Sequence, residues 1–546
     1  MTLDFDESLN CNSRASELEW TEMLNEMSKV VEDSARGGFY LTLGNVASMI
    51  VSMLSVFIVA RVLGSEQYGL YTISTVMPSL LVLFTNPGVV EGLTKFSANL
   101  RVKGEKGRLG RLLLRSLYFE TILGLIASFA CFFFAGHFAT HVLSRPDISG
   151  FIQIAAALVV LQAVFDTFNS AFIGVDRAEY TAITTIVQSI IKAIVGPALV
   201  ILGLAIAGAL IGYVFSFIVA CVLGLSLFAF KIYKALNRSS DAPSGFSKDL
   251  KMLIGYGFPL YISTLIVGFT LQYRNILLAV FTSNYEIGNF QAAMNFTVFV
   301  SSLSIPIAKI LLPAFSKLEE RQEDVRSFFK IAVKYTTIVV LPIVILLMTY
   351  AEEIVQVVYG EGFELAPTFF LLYALTYLFM GIGSLVIRSF FNGLGKTKEN
   401  LKMSLISAVI LVAMAPVLTP FVGIYGMILA LILASLLSTL YGLYTARKLF
   451  SIRVDARITM LIYLASIVSA VPLVLLRGLP LHSNLVRILV GMTIYVAIYL
   501  LVIPLTRVIS SPEMQEIKKV VGRIGLLKYF ASPIIYFEEK ILAKIS

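Results

Sequence analysis

The chain has 546 residues, 58% of them hydrophobic and only 14% charged, a balance that excludes an ordinary soluble globule. Its formal net charge of +9 would suit a polyanion partner, but the basic residues are placed by topology rather than gathered into one nucleic-acid surface. Cys11, Cys131 and Cys221 are too few and too scattered for a disulfide framework or a metal site.

Residues 1–37 read as a polar, acidic tail without a cleavable signal sequence. From residue 38, apolar runs of about 20 residues recur, each long enough to cross a hydrocarbon core of about 30 Å as a helix. Six are expected near 38–60, 69–91, 113–136, 149–172, 180–202 and 206–230. A Ser-, Pro-, Gly- and charge-rich connection follows at 233–250. Six more runs lie near 253–281, 288–312, 330–350, 367–390, 402–421 and 424–445. A further pair lies at 457–476 and 485–505, before a basic tail over 506–546. The expected fold is an all-α polytopic membrane protein of about fourteen transmembrane helices. Its first lobe covers 38–232 and its second 251–446, with the extra pair in 447–505.

The two lobes repeat one another at an offset of 219 residues. Gly69 falls on Gly288, Pro87 on Pro306, and Leu93, Phe96 and Ser97 on Leu312, Phe315 and Ser316. Arg111 and Arg115 meet Lys330 and Lys334; Ser170, Phe172 and Gly174 meet Ser389, Phe391 and Gly393. Six spans is an even number, so the repeats are parallel, as in transporters that rock two lobes around a central site. The matched Pro87 and Pro306 mark an expected kink or break in each lobe.

Basic residues crowd the even-numbered connections: Arg101, Lys103, Lys106, Arg108 and Arg111 in one, Arg447, Lys448, Arg453 and Arg457 in another. The odd-numbered connections are short or acidic, like that holding Glu352, Glu353, Glu361 and Glu364. Both termini are therefore expected on the cytoplasmic side. The tail, with Lys518, Lys519, Arg523, Lys528, Lys540 and Lys544 among apolar residues, is expected to lie on the anionic leaflet and contact membrane lipids.

Charges inside spans are costly and mark wet cavities or partners. Lys192, Arg274, Lys309 and Arg388 are basic; Glu120 and Asp166 are acidic. Several lie on polar stripes with helical spacing. The first span carries Asn45, Ser48, Ser52 and Ser55; the fourth, Gln162, Asp166 and Asn169; the fifth, Thr181, Thr185, Gln188 and Lys192; the tenth, Tyr373, Tyr377, Ser384 and Arg388. Helix packing explains serines and threonines; lysine and arginine need a counter-charge, water or an anionic guest. The four basic residues are the candidate substrate-binding set, with Lys309 near a span end where it could simply snorkel. Glu120 and Asp166 are candidates for ion coupling or for pairing with Lys192. A basic cavity fits the phosphate of an anionic amphiphile, since arginine offers a planar fork to phosphate oxygens.

Other signals point nowhere. GLGKT at 393–397 lacks the first glycine of a phosphate loop, Phe390 standing in its place, and reads as a turn after the tenth span. His137 and His141 have i, i+4 spacing but no third ligand. No catalytic motif, cofactor site or metal site is expected.

ARVLGSEQYGLYTI at 60–73, TKFSA at 94–98, and the FIGVDR and FNGLGK turns after the fourth and tenth spans resemble a known family. So do YEIGNFQAA at 285–293, LPAFSKL at 312–318 and VVYGEGFELA at 357–366. The family is the polysaccharide biosynthesis, or oligosaccharide flippase, branch of the multidrug/oligosaccharidyl-lipid/polysaccharide exporter superfamily. The resemblance runs from about residue 37 to 450. It implies two six-helix bundles in the cell membrane, alternating access, and a lipid-linked oligosaccharide carried from the cytoplasmic to the outer leaflet. Implied partners are that lipid-linked cargo, H+ or Na+, and glycan-assembly enzymes. The rival within the superfamily, a cation-coupled multidrug exporter, would want a carboxylate in the first span, and 38–60 holds none. A polymerase or glycosyltransferase would need a catalytic acidic motif or a large outer loop.

Overall fold

A computed structural model describes residues 44–234, 245–318, 322–477, 483–509, 513–515 and 518. The N-terminal tail, the start of the first span, most of the 233–250 linker and nearly all of the basic tail lie outside them. The described residues contain helices and turns and no strand. Eleven helical stretches are long and apolar enough to cross a bilayer, or twelve if one bent pair is a single span. Two of these far exceed one crossing: Gly44–Thr85 has 42 residues and Ala178–Tyr233 has 56. At a rise of about 1.5 Å per residue they would extend roughly 60 and 85 Å. Each covers two expected spans and turns between them, the first at Gly64 (φ 74°), the second at Gly203 (φ 91°) and Ala205 (φ 44°).

The chain forms two compact units. The first comprises residues up to Val56, Met77–Gly136 and Gly150–Ile262; the second, Phe57–Val76, His137–Ser149 and everything from Ser263. In chain order the helices begin with α1 over 44–74, α2 Val76–Thr85, α3 Val89–Val102 and α4 Lys106–His137. Then come α5 Ser149–Ala155, α6 Ala157–Gly174, α7 Ala178–Leu199 and α8 Ala205–Leu227. The second repeat opens with α9 Phe246–Phe281, α10 Asn284–Lys317, α11 Gln322–Thr349 and α12 Ala351–Tyr359. It continues with α13 Ala366–Leu378, α14 Ile387–Gly393, α15 Thr397–Val422 and α16 Ile424–Phe450. The extra pair is α17 Ala456–Leu476 and α18 Asn484–Leu505.

In the first unit α6 packs against α3, α7 and α8 around buried Phe168 and Phe172. In the second, α10, α11 and α14 enclose Phe315, Phe329, Phe390 and Phe391. The matched residues make matched contacts. Ser170 Oγ donates to the Val90 carbonyl at 2.6 Å, and Ser389 Oγ donates to the Ala308 carbonyl at 3.1 Å. A Cβ at Gly174 would stand 2.7 Å from the Ser97 Cβ, and one at Gly393 would stand 2.6 Å from both the Phe315 Cβ and the Leu312 carbonyl. The glycines recur because two helices meet there at backbone distance.

The repeats differ in where their helices break. In the first, Asn86, Pro87 and Gly88 separate α2 from α3. Gly88 takes a left-handed φ of 96°, and Asn86 Oδ1 accepts from the amides of Gly88 (3.2 Å) and Val90 (3.1 Å). In the second, Pro306 sits inside the unbroken α10, so the matched prolines do not act alike. Conversely, α6 is unbroken, whereas its counterpart in the tenth span breaks between α13 and α14 with a 48° bend. Gly383 carries φ 97° there. The carbonyls freed by this break are met from outside the repeat. Thr459 Oγ of α17 donates to Gly381 O at 3.0 Å, and the Tyr463 hydroxyl donates to Leu378 O. Backbone groups at membrane depth need such partners, since lipid offers none. Gly395 (φ 65°) turns the chain between α14 and α15, as the GLGKT segment predicts.

Candidate functional site

The first unit holds the acids. Glu120, on α4, is 0% exposed, and neither carboxyl oxygen has a hydrogen-bond partner. The hydroxyls beside it are spent on their own helix: Ser116 donates to Leu112 O (2.9 Å) and Thr121 to Leu117 O (2.6 Å). The charges acting on Glu120 are those of Asp166, on α6, and Glu91, on α3. Asp166 is exposed, while Glu91 accepts from Asn86 Nδ2 at 3.2 Å. Sequence reasoning missed Glu91 because it closes the second apolar run and reads as a span boundary.

Lys192, on α7, pairs with neither expected acid. Its half-buried ammonium lies 4.0 Å from the centroid of the Tyr213 ring, a cation–π contact within α7 and α8. Gln162 Nε2 donates to the Tyr213 hydroxyl at 3.4 Å. The rest of the fifth-span stripe is packing: Thr181 Oγ donates to Asn169 O at 3.3 Å and Gln188 Nε2 to Ser216 Oγ at 3.0 Å. The first-span serines also serve α7. Ser52 bonds Ser189 (3.0 Å), and Ser55 donates to the Lys192 carbonyl (3.1 Å).

The second unit holds the remaining basic groups. Arg274, half-buried on α9, has its guanidinium carbon 5.3 Å from the Phe290 ring centroid, and its Nη2 donates to Asn275 Oδ1 at 3.2 Å. Asn275 donates in turn to Gln272 Oε1 at 3.4 Å. Arg388, on α14, is exposed; its Nη1 donates to Asn400 Oδ1 (3.1 Å) and Ser404 Oγ (3.0 Å) of α15. Lys309 is exposed on α10. No described carboxylate lies within ion-pair range of Arg274, Arg388 or Lys309. The tenth-span stripe needs correction: Tyr373 and Tyr377 lie on α13 and Arg388 beyond the break, so no continuous helical face joins them. GIGS at 381–384, with two glycines, was the signal in the sequence.

An aromatic and amide knot, unforeseen from the sequence, ties 57–76 to the rest of this unit. Asn295 Nδ2 donates to the hydroxyls of Tyr68 (3.0 Å) and Tyr359 (3.1 Å), and the rings of Phe57 and Tyr359 meet edge to face at 5.4 Å. Arg61 Nη1 adds a bond to Val357 O at 2.8 Å. His137 and His141 stack at 4.3 Å, and among the described residues no group of three His, Cys, Asp or Glu could hold a metal ion.

Many apolar helices, a duplicated core and intramembrane charges define a multi-pass membrane transporter. The family model described as polysaccharide biosynthesis protein matches residues 34–319, and that described as lipid II flippase MurJ matches 183–500. The chain belongs to the polysaccharide biosynthesis and MurJ-type flippase family of the multidrug/oligosaccharidyl-lipid/polysaccharide exporter superfamily. Among curated proteins it is similar to stage V sporulation protein B of Bacillus subtilis (strain 168), at 21% identity over 90% of this chain and 98% of that one. An uncharacterized membrane protein of Methanocaldococcus jannaschii is 23% identical over 76% of this chain and 98% of its own. Of solved structures, the lipid II flippase MurJ in an inward closed conformation matches with TM-score 0.66 at 16% identity, over 84% of this chain and 97% of that one. An inward-facing multidrug resistance MATE family transporter matches with TM-score 0.58 at 15% identity, over 74% and 94%. These structural likenesses establish the shared fold.

Proposed function

We propose that the protein moves a lipid-linked oligosaccharide, carried on a polyprenyl phosphate or diphosphate, from the cytoplasmic to the outer leaflet of the cell membrane by alternating access. The reading rests on one observation above all. Arg274, Arg388 and Lys309 stand in membrane helices of the second unit with no described carboxylate to neutralise them. A charge is kept at such depth where it meets water or an anionic guest.

The residues divide the work by chemistry. Arg274, steadied by Asn275 and the Phe290 ring, presents a rigid fork suited to phosphate oxygens. Arg388, positioned by Asn400 and Ser404, offers a second, more accessible fork. Lys309 supplies a mobile point charge, and Lys192 does so from the first unit. Polar sugar passes with the phosphate while the lipid tail stays in the bilayer. The basic connections place both termini on the cytoplasmic side. An anion moving outward is then aided by an inside-negative potential, by about 2.3 kcal/mol per charge per 100 mV.

The test is transfer of a fluorescent polyprenyl-diphosphate oligosaccharide in proteoliposomes by wild type, Arg274→Ala and Arg388→Ala. Transfer by wild type that collapses in folded variants supports the reading. Absence of transfer, with export of a cationic dye instead, moves the protein to the drug-exporter branch, for which the acids of the first unit would be the binding groups.

A further inference from the structure

Glu120 is the residue that the proposed handling of an anionic cargo leaves unexplained. It stands fourteen residues into α4, about 21 Å along the helix, and so near the middle of the membrane. Its side chain is completely buried, and both carboxyl oxygens lack a donor. An ionised carboxylate there would forfeit its hydration and gain no hydrogen bond, a cost that buried acids escape by taking up a proton.

The neighbouring groups reinforce that choice. The charges bearing on Glu120 from α6 and α3 are the carboxylates of Asp166 and Glu91. Tyr213 and Cys221 of α8 face Asp166, Tyr261 of α9 faces Glu91, and Lys192 of α7 is engaged with the Tyr213 ring. The described groups acting on Glu120 thus include no cation. A metal ion would need several converging oxygen ligands, and no such set of acids and histidines occurs among the described residues. The species that fits is a proton.

Two features let that proton be exchanged and felt. Asp166 is exposed and electrostatically linked to Glu120, so it can relay a proton between water and the buried site. Glu91 is tied through Asn86 to the break between α2 and α3, where Asn86 also holds the first amides of α3. Ionising Glu120 therefore adds a like charge beside the joint of the first unit.

We propose that Glu120 is an exchangeable proton-binding site, loaded through Asp166, whose occupancy biases the Asn86–Gly88 joint and couples the transport cycle to protons. The step is proton transfer alone: the Glu120 O–H bond breaks, a carboxylate remains, and the proton passes to Asp166 or to water. Its transport arm rests on the flippase reading; its spectroscopic arm does not.

The experiment is infrared difference spectroscopy of the full chain in lipid bilayers, titrated from acid to alkaline pH. Wild type is expected to show a protonated-carboxyl C=O band at neutral pH that Glu120→Gln abolishes and Asp166→Asn retains. A wild-type protein without that band overturns the proposal, and so does a band that survives in Glu120→Gln. In proteoliposomes containing the lipid-linked oligosaccharide, an imposed proton gradient should change the wild-type rate, and Glu120→Gln should abolish that response. An unaltered response in Glu120→Gln overturns the coupling. A wild type that shows the infrared band but transfers no lipid-linked sugar overturns the flippase reading and leaves the proton site standing.

Discussion

The two repeats share a core but not their breaks or their charges. The first breaks at Gly88, where the second has Ile307; the second breaks at Gly383, where the first has Val164. Each break stands where one copy has glycine and the other a branched apolar residue, because glycine alone enters the left-handed region without penalty. Proline, present in both copies as Pro87 and Pro306, does not decide the matter. The charges diverge in the same way. Glu91, Glu120 and Asp166 face Ile310, Val339 and Leu385 across the 219-residue offset. Arg274, Lys309 and Arg388 correspond to Ser55, Val90 and Asn169, and Lys192 to Leu411. Duplication supplied two like frames, which now carry acids in one unit and most of the intramembrane cations in the other.

Loss of the shared frame should cost most. Gly393→Val is expected to destabilise the second unit by at least about 2 kcal/mol, since the new side chain meets the Leu312 carbonyl and the Phe315 Cβ. Gly174→Val should do likewise against Ser97 in the first unit, and thermal melts of purified protein check both. Equal and negligible effects would break the equivalence of the repeats.

A smaller effect is expected at the second-repeat break, which depends on a helix that the first repeat lacks. Tyr463→Phe and Thr459→Val each remove a donor from a freed carbonyl, at a cost of about 1–2 kcal/mol. The same melts, with hydrogen exchange at 379–386, would register it. Stability unchanged in both variants would mean that the break needs no support from α17. The smallest effects belong to the matched hydroxyls. Ser170→Ala and Ser389→Ala should each cost about 1 kcal/mol or less and resemble one another closely.

Much of this was legible in the sequence. The apolar runs gave a polytopic helical fold, and the offset found Ser170, Gly174, Ser389 and Gly393, whose packing explains their recurrence. Composition also picked out Glu120, Lys192, Arg274 and Arg388 as intramembrane charges. What the pattern could not give was partnership. Helical spacing assumes an unbroken helix, so the tenth-span stripe failed at Gly383. Lys192 looked like a partner for an acid, yet Tyr213 satisfies it. Glu91 was hidden at a run's end, and the Tyr68–Asn295–Tyr359 knot joins residues 227 and 64 positions apart, beyond any local periodicity.

The central claim is that the anionic cargo is held by the cations of the second unit and not by the acids of the first. Equilibrium binding of a fluorescent polyprenyl-diphosphate sugar to the protein in nanodiscs tests it directly. Arg274→Ala should weaken binding about ten- to a hundredfold, the worth of one charge-assisted hydrogen-bonded contact, and Glu120→Gln should leave it within about twofold. Undiminished binding in Arg274→Ala together with a large loss in Glu120→Gln would contradict the account.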